Sequence, residues 1–295
     1  MSRTATVSVP ATSANLGAGF DSLGLAMELR DQVTATRTDD GVFTVVIRGE
    51  GAHTLPTDAT HLIVKTIIDA ADQFADAITG LTLECDNAIA QGRGLGSSAA
   101  AIVAGLFLAR ELTGADLTDF DLLQMANRLE GHPDNIGACI YGGLTVAWED
   151  DDKTAHVRKL DVDTRIVPVV AIPNAELSTE KARGLLPTTV PYADAVFNVS
   201  RAALIIAAMT TDPSALLAAT DDRLHQNYRD AAYGDSMKLV CALRADGLAA
   251  CISGAGPTVL SLGTAEQVAG TLEIMAAHGF TAAPLQVAKH GAIVH

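Results

Sequence analysis

Hydrophobic and polar positions change period several times along the chain, and each change marks an element. Residues 4–9 alternate polar and apolar, the period-two pattern of a strand. Residues 33–37 and 42–48 flank Asp39-Asp40-Gly41, which predicts a hairpin. Helical spacing over 61–74 predicts a helix, and 81–85 reads as a short strand. A run of helix formers covers 99–112, with Gly114 as its C-cap. Residues 118–130 repeat the helical period and place Leu122, Met125, Ala126 and Leu129 on one face. Residues 141–148 read as a strand, followed by the exposed acidic turn Glu149-Asp150-Asp151-Asp152-Lys153.

The second half alternates the two periods again. Strands are predicted at 167–172, 249–253, 259–262 and 281–287, where Pro284 points to a sheet edge. Helices are predicted at 178–186, 193–209, 237–245 and 265–278. Helices interleaved with hairpin-like strand pairs predict an α+β sandwich. The acidic turn suggests a domain boundary near residue 150, dividing the chain into 1–150 and 151–295.

Composition narrows the function classes. The 295 residues are 48% hydrophobic, 19% charged and only 4% aromatic, so the core is aliphatic. With 20 basic and 35 acidic residues the formal charge is −15, which argues against a nucleic-acid or anionic-membrane surface. An anionic ligand therefore needs local arginines. The four cysteines are scattered without a CxxC pair, as structural thiols in a reducing compartment would be. The N-terminus has neither a basic n-region nor an apolar h-region, and no apolar run approaches the ~20 residues of a membrane span. A cytoplasmic protein is expected.

Three loops of small residues carry the candidate chemistry. In Gly92-Arg93-Gly94-Leu95-Gly96-Ser97-Ser98-Ala99-Ala100, alternating glycines open onto a helix start. Glycine permits turns that a Cβ forbids, and a helix start offers unpaired N–H groups to an anion, most often a phosphate. The serine hydroxyls can also reach Mg²⁺, which prefers hard oxygen ligands. No lysine stands here, which excludes a Walker A loop. The residues some 20 positions on are helix rather than the end of a strand, which excludes a dinucleotide fingerprint. Read alone, a glycine-rich turn before a buried helix remains the alternative. The early segment from Pro10 to Asp21 sets Asn15 and Asp21 among small residues, as a binding loop or a solvated turn would. Glu130-Gly131-His132-Pro133-Asp134-Asn135 offers carboxylates and polar groups to a metal or substrate; a capped helix end with a polar turn is its alternative. No second histidine sits at ligand spacing from His132, so hydrogen bonding fits it better than zinc. The third loop, Ser253-Gly254-Ala255-Gly256-Pro257-Thr258, would alone be a hairpin turn.

Together the loops resemble the GHMP kinases. GRGLGSSAA is similar to that family's phosphate loop, and SGAGPT to its third motif, which supports the phosphate loop from the second domain. PATSANLGAGFDSLG and EGHPDN followed by Tyr141-Gly142-Gly143 narrow the resemblance to the homoserine kinases among them. The resemblance covers nearly the whole chain. It implies a two-domain fold: an N-terminal ribosomal protein S5-like domain (1–150) and a C-terminal ferredoxin-like α/β sandwich (151–295). It implies ATP-dependent phosphorylation of the L-homoserine side-chain hydroxyl to O-phospho-L-homoserine, for threonine synthesis, by a homodimer. By the same resemblance Arg183 and Arg229 bind the substrate carboxylate, Asp21 the ammonium group, and Asn15 and His132 the rest. Ser98 and Glu130 coordinate Mg²⁺. Residues Gly92, Arg93, Gly94, Leu95, Gly96, Ser97 and Ser98 hold the phosphates, and His61 lies near the adenine.

Asn135 stands where some family members carry an aspartate base, so no dedicated carboxylate base is expected. The chain departs from the family pattern at His61, where asparagine is common, and at Ala90 and Asn227, where proline is usual. A GHMP kinase for another small alcohol is one alternative. A non-catalytic amino-acid or nucleotide sensor of the same fold is a second. Loss of Glu130 or of a loop serine would favour the sensor, and neither is lost.

Overall fold

The computed structural model describes residues 3–38 and 40–295. In chain order the first strands are β1 (Thr4–Ala14), β2 (Leu23–Thr38), β3 (Phe43–Gly49), β4 (Gly80–Asn87), β5 (Leu144–Glu149) and β6 (Ala155–Leu160). β7 (Ile166–Ala171), β8 (Ala249–Ile252), β9 (Val259–Thr264), β10 (Ala282–Pro284) and β11 (Ile293–Val294) follow. The helices of the first half are α1 (Leu62–Gln73), α2 (Ser97–Thr113), α3 (Asp119–Glu130) and α4 (Pro133–Tyr141). Those of the second are α5 (Thr179–Gly184), α6 (Tyr192–Thr210), the short α7 (Leu216–Ala219) and α8 (Asp230–Tyr233), α9 (Asp235–Ala245) and α10 (Ala265–Ala277).

Two sheets organise these elements. The seven-stranded sheet runs β11-β1-β2-β4-β3, with β5 bonded to β2 and β6 to β5; the four-stranded sheet runs β10-β7-β9-β8. β2 is long enough to serve two partners: residues 32–38 pair with β4 and residues 23–25 with β5. β1 continues through Pro10, and its register against β2 shifts at Pro10/Ala11, as expected where proline lacks a ladder donor. One apolar cluster runs from β1 and α2 to β8 and β9, so the core is shared between the sheets.

The structure corrects several sequence expectations. The segments predicted as a hairpin are not partners, because β4 lies between β2 and β3 and runs parallel to β3. Alternation shows that a segment is a strand; it does not name the neighbour. Of the predicted turn, Asp39 lies outside the described residues. The polar stretch after His132 is not a loop but the start of α4, with Pro133 in the first turn, where its missing N–H costs nothing. The strand expected from 141 therefore begins at Leu144. Leu129 is 51% exposed, and Leu123 and Asn127 are buried on α3 instead. The acidic turn connects β5 to β6 within the first sheet, and β11 returns to that sheet from the far end. Pro284 does lie on a sheet edge.

The helix α6 also departs from expectation. Its 19 residues, mean hydropathy 1.3, are long and apolar enough to cross a membrane by length and composition alone. Here it buries Asn198, Ile205, Ala208 and Met209 and leaves Tyr192, Val196 and Val199 at 85%, 54% and 71% exposure. The interrupting Asp194, Asn198 and Arg201 hid the run from a search for unbroken apolar stretches.

Candidate active site

The phosphate loop is built from its glycines. Gly92, Gly94 and Gly96 take φ of +63°, +81° and +70°, left-handed values that a side chain adopts only at a cost. A Cβ on Gly94 would collide with the Ser253 carbonyl, and one on Gly96 with the Thr12 hydroxyl. Gly96 caps α2 without any side-chain hydrogen bond, so the first N–H groups of this 17-residue buried helix stay available to an anion. Neighbouring loops hold the turn from outside. Thr258 N donates to Arg93 O (3.1 Å), Leu177 N to Gly92 O (2.9 Å), Thr12 N to Leu95 O (3.0 Å), and Ser253 Oγ to Gly94 O (2.5 Å). The third glycine loop thus buttresses the first.

That third loop also holds the segment 14–21, the candidate substrate loop. Gly254 N donates to Ala14 O (3.1 Å), and Asn15 Nδ2 to Gly254 O (2.9 Å). Asn15 Oδ1 accepts from Asp21 N (3.0 Å), closing the loop on itself. Between them Asn15, Leu16 and Asp21 sit at φ +72°, +48° and +55° without being glycine.

A cavity of about 460 Å³ lies between the two loops. Asn15, Asp21, His61, Gly92, Arg93, Gly94, Gly96, Ser97, Ser98, Glu130, His132, Asn135, Arg183 and Arg229 all line it. Leu95 does not: its side chain is fully buried in the core, and only its backbone serves the loop. Ser98 Oγ donates to Glu130 Oε2 at 2.8 Å, although the two come from different helices. The kink between α3 and α4 presents Glu130 and His132 side by side, with Gly131 at φ +84° making the turn. His132 Nδ1 meets Asp134 Oδ1 at 3.0 Å. Burial depresses the imidazole pKa, but the hydrogen bond and charge of Asp134, helped by Glu130, outweigh it and raise the pKa above its ordinary value. Asn135 Oδ1 accepts from Thr12 Oγ1 (2.8 Å), so the amide is fixed and offers no base. Arg93 turns toward Glu50 (3.8 Å) and Glu176 (4.0 Å).

The two arginines differ sharply. Arg183 forms a bidentate pair with Asp21, at 3.0 and 2.7 Å. The side chains expected at opposite ends of a zwitterion are therefore bonded to each other. Arg229 is 2% exposed, and its Nε donates to Ala182 O (3.0 Å). Among the described residues no carboxylate lies within ion-pair reach of it. A buried cation without a counter-charge is costly unless a ligand supplies one. At the other end of the cavity His61 caps α1, its Nδ1 accepting from Ile63 N at 3.3 Å. Burial lowers its pKa, so the ring is neutral and carries its proton on Nε2.

Reading the sequence missed several lining residues. Asp134 lay within EGHPDN but was not singled out, and Phe20 lay within GAGFDS. Asp31, deep in β2, carried no local signal. Burial raises its pKa to about 6, although it accepts from Ala88 N and Ile89 N at 2.6 and 2.8 Å.

Residues 61–143 match the family described as "GHMP kinases N terminal domain". The chain is 48% identical over 291 residues to the homoserine kinase of Streptomyces avermitilis, covering 98% of this chain and 94% of that one. It is 51% identical over 260 residues to that of Clavibacter michiganensis, covering 88% and 82%. The crystal structure of homoserine kinase from Cytophaga hutchinsonii superposes with a TM-score of 0.85 at 26% identity, covering 99% and 97% of the two chains. The chain belongs to the homoserine kinases, within the GHMP kinases.

Proposed function

We propose that this protein transfers the γ-phosphoryl group of ATP to the side-chain hydroxyl of L-homoserine, giving O-phospho-L-homoserine and ADP on the route to threonine. The observation that carries this reading is the buried, uncompensated Arg229 beside the Arg183–Asp21 pair, facing a phosphate loop across one cavity. An α-amino acid brings the carboxylate that Arg229 lacks and an ammonium group for Asp21. Guanidinium binds carboxylate with two parallel hydrogen bonds, which also fixes the chain of the ligand.

In this reading the amides at the start of α2 and the left-handed glycine backbone receive the phosphates. His132, backed by Asp134, offers Nε2 to the substrate hydroxyl or to the developing phosphate charge. Asn135 holds position through Thr12. Phosphoryl transfer asks for alignment and charge neutralisation more than for covalent help, so a fixed amide in place of a base suffices. The hydroxyl proton then leaves late, toward the transferred phosphate or water. Ser98 and Glu130, a hydroxyl and a carboxylate 2.8 Å apart, form a hard-oxygen pair suited to Mg²⁺. Among the described residues no cluster of three His, Cys, Asp or Glu could hold a metal by itself, so nucleotide oxygens would complete the shell. When bound, the ion would neutralise phosphate charge. His61, with its proton on Nε2, would donate to the adenine base.

We also propose a cytoplasmic homodimer joined through α6. The exposed positions Tyr192, Val196 and Val199 recur at helical spacing with Ala203 and Ala207, a seam a second copy could cover. Val199→Glu is then expected to give a monomer by light scattering. We further propose that the sheets mark two units, 1–150 with β6 and β11, and the rest of 151–295.

ADP release with Mg·ATP, run with L-homoserine beside serine, threonine, mevalonate and galactose, tests the function. Turnover with homoserine alone, lost in Arg183→Ala and Glu130→Ala, is expected. Turnover with another alcohol would replace the substrate, and homoserine binding without ADP would favour a sensor.

A further inference from the structure

Two aromatic rings sit behind the amino-acid end of the cavity without a role so far. The Phe20 ring stacks on His225, with centroids 4.9 Å apart and planes 19° from parallel. The same Phe20 ring carries two cations, with the guanidinium carbon of Arg229 at 5.3 Å and that of Arg183 at 5.9 Å from its centroid. These arginines come from separate segments, Arg183 from α5 and Arg229 from the turn before α8. Phe20 belongs to neither segment; it lies on the substrate loop, next to Asp21. One ring therefore touches both cations and is covalently adjacent to Asp21, the carboxylate paired with Arg183.

His225 fixes that ring from behind. It is fully buried, and its Nε2 lies 2.8 Å from Gly17 O, while Nδ1 has no partner. A neutral ring donating from Nε2 satisfies this geometry. Its backbone is pinned in turn: the Asp222 carboxylate accepts from Leu224 N, His225 N and Gln226 N at 2.8–3.1 Å, and from Asn198 Nδ2 at 2.9 Å. The loop it grips needs gripping, because Asn15, Leu16 and Asp21 all hold left-handed backbone angles. The loop cannot relax without moving Gly17 off His225 and Phe20 off the arginines.

We propose that Phe20 and His225 are positioning residues for the amino-acid substrate, forming a platform that sets the spacing of the Arg183 and Arg229 guanidiniums. The negative face of the ring offsets the repulsion between two cations of which only Arg183 has a carboxylate partner. The hydrogen bond to Gly17 holds the ring at the height where both cations meet it. Among the described residues no hydrogen bond or ring contact joins Phe20 or His225 to residues 92–98, so the platform acts on the amino acid and not on ATP. The inference rests on the assignment of these arginines to the substrate carboxylate.

Phe20→Leu and Phe20→Tyr separate this from a packing role. Phe20→Leu is expected to raise the KM for L-homoserine about tenfold while the KM for ATP stays within about twofold. Phe20→Tyr keeps the stack and should return the homoserine KM to within about twofold of wild type. His225→Gln keeps a donor for Gly17 but loses the ring, and should resemble Phe20→Leu. An unchanged homoserine KM in Phe20→Leu, or equal rises for both substrates, would overturn the proposal. A crystal structure of Phe20→Leu adds a readout that needs no turnover. The platform predicts that at least one guanidinium moves by about 1 Å or more, and two unmoved guanidiniums overturn it. If wild-type protein turns over no homoserine, the functional reading fails, and the crystal structure alone decides the platform.

Discussion

The proposed phosphate loop and the proposed substrate loop solve the same conformational problem in different ways. Both need left-handed backbone beside the cavity. Residues 92–96 obtain it from Gly92, Gly94 and Gly96, for which it costs little. Residues 15–21 obtain it at Gly17 but also at Asn15, Leu16 and Asp21, where each departure costs on the order of 1 kcal/mol. The difference is where the conformation is specified. The phosphate loop is written locally, and its neighbours only brace it. The substrate loop is held by residues more than 200 positions away, at Gly254 and His225. Its shape exists only when the second half is folded around it. On the proposed site assignment, amino-acid binding is thereby tied to the union of the two halves more closely than phosphate binding is.

Substitutions can break this contrast in order of expected effect. Gly94→Ala adds a Cβ at φ +81° against the Ser253 carbonyl. It should cut turnover at least about 100-fold through misplaced phosphate amides, with the KM for homoserine nearly unchanged. Asn15→Ala removes both side-chain hydrogen bonds of the other loop and leaves alanine at φ +72°. The expected result is the reverse, a rise of about tenfold or more in the homoserine KM with little change for ATP. Steady-state kinetics in both substrates checks each. Asp21→Asn frees Arg183 and removes the ammonium partner; it should weaken homoserine binding about tenfold in a calorimetric titration and leave nucleotide binding intact.

The remaining effect is on stability rather than turnover, and concerns pH. Asp31 fastens the turn at Ala88 and Ile89, just before the phosphate loop, and burial raises its pKa from 3.8 to about 6. A raised carboxyl pKa means the folded state favours the protonated form. That contribution is fully present below pH 3.8 and is lost as pH rises through about 6, by at most about 3 kcal/mol. Asp31→Asn, neutral throughout, should show a flatter stability profile by urea denaturation between pH 4 and 6.5.

The same contrast explains what the sequence made legible. Alternating glycines before a helix betray a phosphate loop because the local conformation needs those residues, and α2 begins at Ser97 as that pattern requires. Arg229 could be placed in the site only through the family motif, since nothing local distinguishes it from a surface charge. Its burial is a property of the assembled fold. The parallel β3–β4 pair was invisible because strand periodicity carries no information about partners. The start of α4 was masked by the same Pro133, Asp134 and Asn135 that make a good first turn and also make a good loop. Asp31 gave no signal because an acid inside a long strand reads as an outward-facing position until the turn it holds is known.

The most direct test of the account compares ADP release for three ligands that differ only at the amino-acid end. These are L-homoserine, 3-aminopropan-1-ol, which lacks the carboxylate, and 4-hydroxybutanoate, which lacks the ammonium group. All three present the same hydroxyl to the phosphate loop. If Arg229 with Arg183 and Asp21 define the substrate, only homoserine is turned over efficiently, and each truncated alcohol loses about 100-fold or more in kcat/KM. Comparable turnover of either truncated alcohol would contradict the account, because the buried arginine and its paired neighbour would then not be reading the substrate.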